Sequence, residues 1–277
     1  WCTKKMKLDE FERFVGDDMA ISYVGIRGDE DRDGYISSKS NIQSIFPFRR
    51  NIWSLDVVNK FLHNENIEQI SAIYDRLCPD GLMKEDLMEI VRRPITKQFY
   101  YSKKLDALLD FDVKMFNHAV FEFLHATDYP VGKLSEDEFP LLDNDDIIVK
   151  DDVFRLLRES GVGVPKYYEE IPFEVEGKKG TYCRSRSGCY FCFYQQKIEW
   201  IWLYEQHPDL YRKAMSFEKD GYTWNQGESL ADLIKPERVK QIKLDVIKRQ
   251  EENKKQNKGT TLADIFGDEI MCANCFI

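Results

Sequence analysis

The chain has 277 residues, with 49 Asp and Glu against 40 Lys and Arg, for a formal net charge of −9. That balance excludes a global electrostatic pull towards nucleic acid or an anionic membrane, and no apolar run approaches the ~18 residues of a membrane-crossing helix. Hydrophobic residues make up 43%, enough for one large domain or two smaller ones, and five of the seven cysteines fall in two clusters, which suits metal or cluster chemistry in a reducing cytoplasm better than a secreted disulfide framework.

Trp1–Lys7 (WCTKKMK) is basic and leads into a short amphipathic helix over Asp9–Val15, with Phe11 and Phe14 as apolar residues. Met19–Ile26 (MAISYVGI) is an uncharged run rich in β-branched and aromatic residues, the pattern of a buried strand in a parallel sheet. It ends in Gly25-Ile26-Arg27-Gly28-Asp29-Glu30, with Arg32 close behind. Polar residues just past such a strand are where open α/β sheets bind ligands; an ordinary charged turn is the alternative. Asn41–Phe48 is a second extended segment, which Pro47 argues is not a central strand. Ser54 is placed to cap a helix over Ser54–His63.

Ile67–Leu77, Lys84–Arg92, Lys103–Leu109 and Val113–Leu124 all carry apolar residues at helical spacing. They predict a helical insertion over residues 64–137 with a structural or partner-contact role. His118 and His125 lie seven apart within it, which suits packing or surface positions more than metal ligation. Phe139-Pro140-Leu141, Ile147 and Asp152-Val153 then echo the order of Phe46-Pro47-Phe48, Ile52 and Asp56-Val57, each copy running into a helix. The second of these, Asp151–Ser160, is punctuated by an Asp at its start and Gly161 beyond its end. Past a turn at Gly163–Tyr168, Lys197–Tyr204 (KIEWIWLY) is an apolar helix and His207-Pro208 opens another. Pro236 sits where a first-turn proline is tolerated, ahead of a stripe of Val239, Ile242, Val246 and Ile247. Glu251–Gly259 reads as a fraying end or flexible linker.

Thr181–Glu199 (TYCRSRSGCYFCFYQQKIE) holds the densest chemistry, with Cys183, Cys189 and Cys192 at a C-x5-C-x2-C spacing. A [4Fe-4S] cluster takes four thiolates, and zinc takes four Cys or His ligands with C-x2-C as a usual half-site. The trio supplies three ligands; the fourth comes from Cys2, the Cys272/Cys275 pair, His207 or an outside group. A zinc site from Cys189/Cys192 and Cys272/Cys275 is an alternative, as are buried, chemically idle cysteines. Arg184 and Arg186 lower thiolate pKa values or grip phosphate or sulfate, unless they serve only as surface charge.

Three stretches together resemble the phosphoadenosine phosphosulfate reductase-like branch of the PP-loop (ATP pyrophosphatase, adenine nucleotide α-hydrolase) superfamily. They are Trp1-Cys2-Thr3-Lys4-Lys5-Met6-Lys7, Gly25–Glu30 with Arg32, and Arg186-Ser187-Gly188-Cys189-Tyr190-Phe191-Cys192-Phe193 with Glu199-Trp200. His207-Pro208 and Gly221-Tyr222-Thr223-Trp224 look like further family positions. The resemblance covers about Trp1–Arg50 and Asp143–Trp224. It implies a Rossmann-like α/β fold that binds ATP or a phosphoadenosine-type nucleotide, with sulfonucleotide reduction or sulfur transfer as its chemistry. Relatives with this cysteine pattern, the DNA phosphorothioation proteins among them, imply a [4Fe-4S] cluster on Cys2, Cys183, Cys189 and Cys192. Arg27, with Lys4, Lys5 and Arg32, is then implied for the nucleotide's phosphate or sulfate. The family's SGGKDS-type loop would precede Trp1, so the chain is expected to be the C-terminal part of a longer polypeptide and inactive by itself.

The expected architecture is α/β. A remnant of a Rossmann-like parallel sheet over residues 1–63 precedes the helical insertion at 64–137. A mainly helical cysteine-cluster region follows at 138–235, then a helix and Cys-containing tail at 236–277. The leading expectation is an oxidoreductase or sulfurtransferase of the cytoplasm. A nucleic-acid-directed defence component is a second, on the basic character of Lys4/Lys5, Arg49/Arg50, Arg184/Arg186 and Lys235–Lys258. A structural zinc-binding domain that docks a protein partner is the third.

Overall fold

Helices dominate, and the strands among the described residues form two separate pairs. The computed structural model describes residues 4–30, 34–185, 189–219 and 221–255. It divides into a first unit ending at Val153 and a second beginning at Phe154. No helix is long and apolar enough to cross a membrane among the described residues.

In the first unit a helix, α1 (Asp9–Val15), leads to strand β1 (Ala20–Tyr23), which pairs in parallel with β2 (Ile42–Ile45). The parallel strand expected over Met19–Ile26 is therefore present, but it is not buried. Ala20, Ile21 and Ser22 are half-buried and Tyr23 is exposed, whereas all four residues of β2 are buried. The reason is position in the sheet. Ala20 and Val24 donate to the Asn41 and Ile45 carbonyls at 2.8 Å, so the alternation of the strand turns the main chain of Ile21 and Tyr23 to an outer edge. No strand pairs with that edge among the described residues. β2 stops two residues before Pro47, whose missing N–H cannot extend a ladder.

Helix α2 (Leu55–Phe61) starts after Ser54 as predicted, yet the Ser54 hydroxyl makes no capping bond and is buried without a partner. Helices α3 (Ile67–Leu77), α4 (Leu82–Arg92), α5 (Tyr101–Phe111) and α6 (Val113–Leu124) form where the apolar spacing predicts them. They share one core with Ile45, Trp53 and α2, so the residues expected as an insertion pack in continuity with β2. Phe61 lies at its centre, with the rings of Tyr74, Phe116 and Phe123 at centroid distances of 6.5, 5.7 and 5.4 Å. Buried Asn117 on α6 accepts from Trp53 Nε1 at 3.1 Å and donates to the Leu142 carbonyl at 3.3 Å. His118 and His125 have separate partners, the Asp143 carboxylate at 3.3 Å and the Gly132 carbonyl at 2.8 Å. The two echoed segments do not form matching structures: Phe46 follows a strand, while Phe139 precedes a 3₁₀ turn. They are instead joined, Asn144 donating to the Pro47 carbonyl at 3.2 Å.

Helix α7 (Lys150–Glu159) carries the boundary between the units and stops before Gly161, as its punctuation predicts. The second unit then holds a hairpin that the helical reading of this region passes over: β3 (Ile171–Val175) and β4 (Lys178–Tyr182). Its signal is Glu176-Gly177 between the strands. Both residues have positive φ, 50° and 74°, the two-residue loop whose twist matches antiparallel strands. Helix α8 (Lys197–Gln206) is buried on several faces, from Ile198 through Leu203, which is why its sequence is apolar all round rather than striped. The hairpin, α9 (Pro208–Met215), α10 (Leu230–Leu233) and α11 (Pro236–Lys255) pack around it. α11 presents Ile242 and Ile247 to this core and runs to Lys255, so Glu251–Lys255 is helical rather than a frayed linker. Burial and a hydrogen bond to Glu205 push the Tyr182 phenol up to about 12.

One buried charge shapes the pH response of the first unit. Lys104 on α5 is 1% exposed and donates to the Val91 and Arg93 carbonyls, both at 2.7 Å, at the end of α4. Burial pushes its ammonium down to about 8. Between that value and an ordinary lysine pKa the unfolded chain binds more protons than the folded one, so stability rises with pH across this window. The free energy of unfolding of the native chain should therefore rise from pH 8 to 10 relative to Lys104→Met, by at most about 1.4 kcal/mol per pH unit. Parallel denaturation curves for the two proteins over that range would remove the assignment.

Candidate functional site

The cysteine loop is held by one carboxylate. Glu199, in the first turn of α8, is 1% exposed. Its Oε1 accepts from both the N–H and the hydroxyl of Ser185, each at 2.7 Å. Its Oε2 accepts from the Gln196 N–H at 3.0 Å, closing a capping box at the start of α8. One side chain thus ties residue 185 to residue 196, the two ends of the stretch that carries Cys189 and Cys192. A carboxylate in the first turn also complements the positive end of the helix dipole.

Aromatic side chains pin the far side of the loop. Phe191 sits 4.9 Å from Trp224 and 5.4 Å from Phe217, and Phe193 sits 5.2 Å from Trp224. Trp224 is fixed in turn by its Nε1 bond to the Ala214 carbonyl at 2.9 Å. Glu218 accepts from the N–H groups of Trp224 at 3.1 Å and Leu230 at 2.9 Å. The Gly221–Trp224 stretch therefore serves as a wall beneath the cysteine loop, and Cys192 lies between the two phenylalanines that anchor it.

The expected ligands are placed as follows. Cys183 and Cys192 are half-buried and Cys189 is exposed. Arg184 reaches across the loop to donate to the Cys189 carbonyl at 2.8 Å, while its own N–H donates to the Tyr167 carbonyl at 2.9 Å. Cys2, Arg32, Arg186, Cys272 and Cys275 lie outside the described residues. Among the described residues, no group of three or more His, Cys, Asp and Glu side chains is gathered to hold a metal ion. His207 ends α8 and places its ring 5.2 Å from Trp202, and Cys78 is buried in the core of the first unit.

Several buried N–H groups near the loop lack an acceptor: Arg184 Nε, Gln195 Nε2, Trp200 Nε1, Trp202 Nε1 and Asn225 Nδ2. Gln43, Ser44, Ser54, Asp56, Ser71 and Tyr74 of the first unit also hold buried polar atoms without a partner, so such atoms do not by themselves mark the loop as a site. Thiolates are the usual ligands of an iron–sulfur cluster, so the three cysteines fit one in kind. Reasoning from sequence passes over Gln195 and Trp202; the Q-x-x-E box preceding an apolar run is the signal that could have found the Glu199 anchor.

The loop after β1 differs electrostatically. Arg27 is bridged by its own neighbours, Nε to Asp29 at 2.9 Å and NH1 to Glu30 at 2.8 Å. Its charge is balanced, so an anion there must displace carboxylates. Gly28 follows because the space is taken: a Cβ would meet the Ile147 side chain and lie 3.3 Å from the Phe48 carbonyl oxygen. Lys4 is exposed, and Lys5 pairs with Asp9 at 2.8 Å. These residues and the cysteine loop belong to different units.

If Glu199 anchors the loop, replacements should rank by the bonds they remove. Glu199→Ala strands two backbone N–H donors and the Ser185 hydroxyl and is expected to destabilise by about 3 kcal/mol or more; Ser185→Ala, losing one bond, by about 1 kcal/mol. Glu199→Gln should fall between, because its amide meets the Gln196 N–H donor to donor. Chemical denaturation measures all three, and a Glu199→Ala protein within about 0.5 kcal/mol of the native one would refute the anchor. No protein-family model matches the chain, and no curated protein or solved structure shows significant similarity to it.

Proposed function

We propose that the chain serves in an adenine-nucleotide-dependent enzyme of sulfur metabolism, of the sulfonucleotide-reductase or sulfur-transfer kind. Cys183, Cys189 and Cys192, with Cys2 as fourth thiolate, would hold a [4Fe-4S] cluster. The observation that carries this is the cysteine segment itself: a loop with two thiols, Cys189 and Cys192, closed by one buried carboxylate, and a third, Cys183, just before it.

The parallel pair of the first unit supports the nucleotide part. Arg27 and its carboxylates follow the C-terminal end of β1, the place where open α/β sheets receive ligands. The open edge of β1 suits a Rossmann-like sheet with further strands. Lys4, Lys5, Arg27 and Arg32 are the residues for the nucleotide's phosphate or sulfate, Arg27 once Asp29 and Glu30 release it. Arg184 adds charge beside the thiols.

When bound, the cluster would supply a site that holds or relays sulfur. The chain's own contribution is to fix the thiols, through Glu199 and the two phenylalanines, and to exclude water from the inner wall with Trp200 and Trp224.

Anaerobic purification followed by iron and sulfide assay tests the assignment. About four of each per chain is expected. Cys189→Ala should lose that iron, while Cys78→Ala should retain it, because Cys78 lies in the core of the first unit. Stoichiometric zinc without iron would overturn the cluster and favour a structural zinc site.

A further inference from the structure

We propose that the connection between α4 and α5 is a docking surface for single-stranded nucleic acid, with cations for its phosphates and an exposed ring for a base. From Ile90 to Leu105 the chain carries no Asp or Glu, but it carries Arg92, Arg93, Lys97, Lys103 and Lys104. Lys104 is buried in its clamp on the end of α4; the other four are exposed. Among the described residues, none of these four forms an ion pair. Two of them are held against aromatic rings instead. The Arg93 guanidinium lies 4.3 Å from the centre of the Phe99 ring, and the Lys103 ammonium 5.0 Å from that of Tyr100. Lys103 also donates to the Gln98 carbonyl at 3.3 Å, and the Tyr100 ring beside it stays 48% exposed. The Thr96 N–H donates to the Phe99 carbonyl at 3.0 Å and the Phe99 N–H to the Thr96 hydroxyl at 3.2 Å, a tight turn with Lys97 at its tip. Arg93, Lys97, Lys103 and two rings thus share one short stretch of surface.

The stretch is fixed from beneath. Lys104 ties the Val91 and Arg93 carbonyls to α5. Asn64 grips Ile95 twice, accepting from its N–H at 2.7 Å and donating to its carbonyl at 3.1 Å. A surface ordered before binding loses little freedom on binding. Its unpaired cations suit a polyanion, and the whole-chain charge of −9 does not cancel them, because salt screens exposed charges beyond about 10 Å. The exposed ring decides which polyanion. Unpaired bases stack on aromatic side chains, whereas the carboxylates of an acidic protein segment gain nothing from a ring face. A duplex keeps its base faces covered, so the single strand is the form that uses both features. The inference is independent of the sulfur-metabolism reading, since it uses neither the cysteine loop nor the residues after β1.

The test is fluorescence anisotropy of the full chain with a labelled oligothymidylate of about 20 nucleotides, titrated between about 50 and 200 mM salt. Saturable binding is expected, weakening about twentyfold across that range when three phosphates are neutralised. Lys97→Gln combined with Lys103→Gln should make the log–log salt slope shallower by about 1.4, because each lost phosphate contact removes about 0.7. Tyr100→Leu should weaken binding about fivefold or more and leave the slope unchanged. Lys213→Gln, exposed on α9, should alter neither. All the replaced side chains are exposed, so each variant is expected to melt with the native chain. No binding at about 50 mM salt, or native-like binding by the double lysine variant or by Tyr100→Leu, would overturn the surface. Displacement of the strand by polyglutamate at equal charge concentration would also overturn it and assign the surface to an acidic protein partner. Tighter binding of a duplex of the same length would remove the single strand as its ligand.

Discussion

The cysteine loop depends on a charge buried where water cannot reach it. Removing a carboxylate from solvent is unfavourable unless hydrogen bonds replace its hydration, and Glu199 receives three. Hydrogen bonds to a charged acceptor are stronger than neutral ones, but a buried ion seldom adds net stability over an apolar core of the same shape. What Glu199 contributes is geometry. By accepting from residues 185 and 196 together, it fixes the distance between the two ends of the thiol-bearing segment. Cys189 and Cys192, which lie between them, are then positioned from one helix turn.

That turn has to be rigid for the anchor to work, and the packing of the second unit makes it so. Trp200 is fully buried against Tyr211, with ring centroids 6.2 Å apart, and lies 6.1 Å from Trp224. Trp224 in turn meets Phe191 and Phe193 of the loop. The loop therefore rests on α8 twice, once through the Glu199 hydrogen bonds and once through tilted, packed aromatic rings. The hairpin β3–β4 supplies Tyr182 to the same core and leads directly into Cys183.

Helices were the most legible elements in the sequence. Residues 67–124 are amphipathic and locally determined, so apolar spacing locates α3 and α6 to the residue. Position within a sheet is not local. Nothing in AISY states whether a neighbour strand covers its outer edge, which is why β1 is found half-buried where a covered strand was expected. The hairpin escapes a sequence reading for a different reason: its strands are short, the first carries Pro172 and the second opens on two lysines, and the Glu176-Gly177 loop is a weak signal without its strand partners. At the site, residue types and spacing pointed to the cysteines, but the partners that fix them, Ser185 and Gln196, are visible only once α8 forms.

The two arginines show why charge type alone misplaces an anion site. Arg27 and Arg184 both follow a strand and both stand in stretches that suggest phosphate or sulfate. Arg27 is followed by Asp29 and Glu30, and at those separations the chain folds back so that both carboxylates reach the guanidinium. Its charge is neutralised locally, and sequence alone carries that warning. Arg184 is followed by Ser185, which is taken by Glu199, and the guanidinium is left among a carbonyl, an indole face and unpaired N–H groups. Arg27 is thus paired within its own loop, whereas Arg184 donates to a carbonyl and packs against an indole.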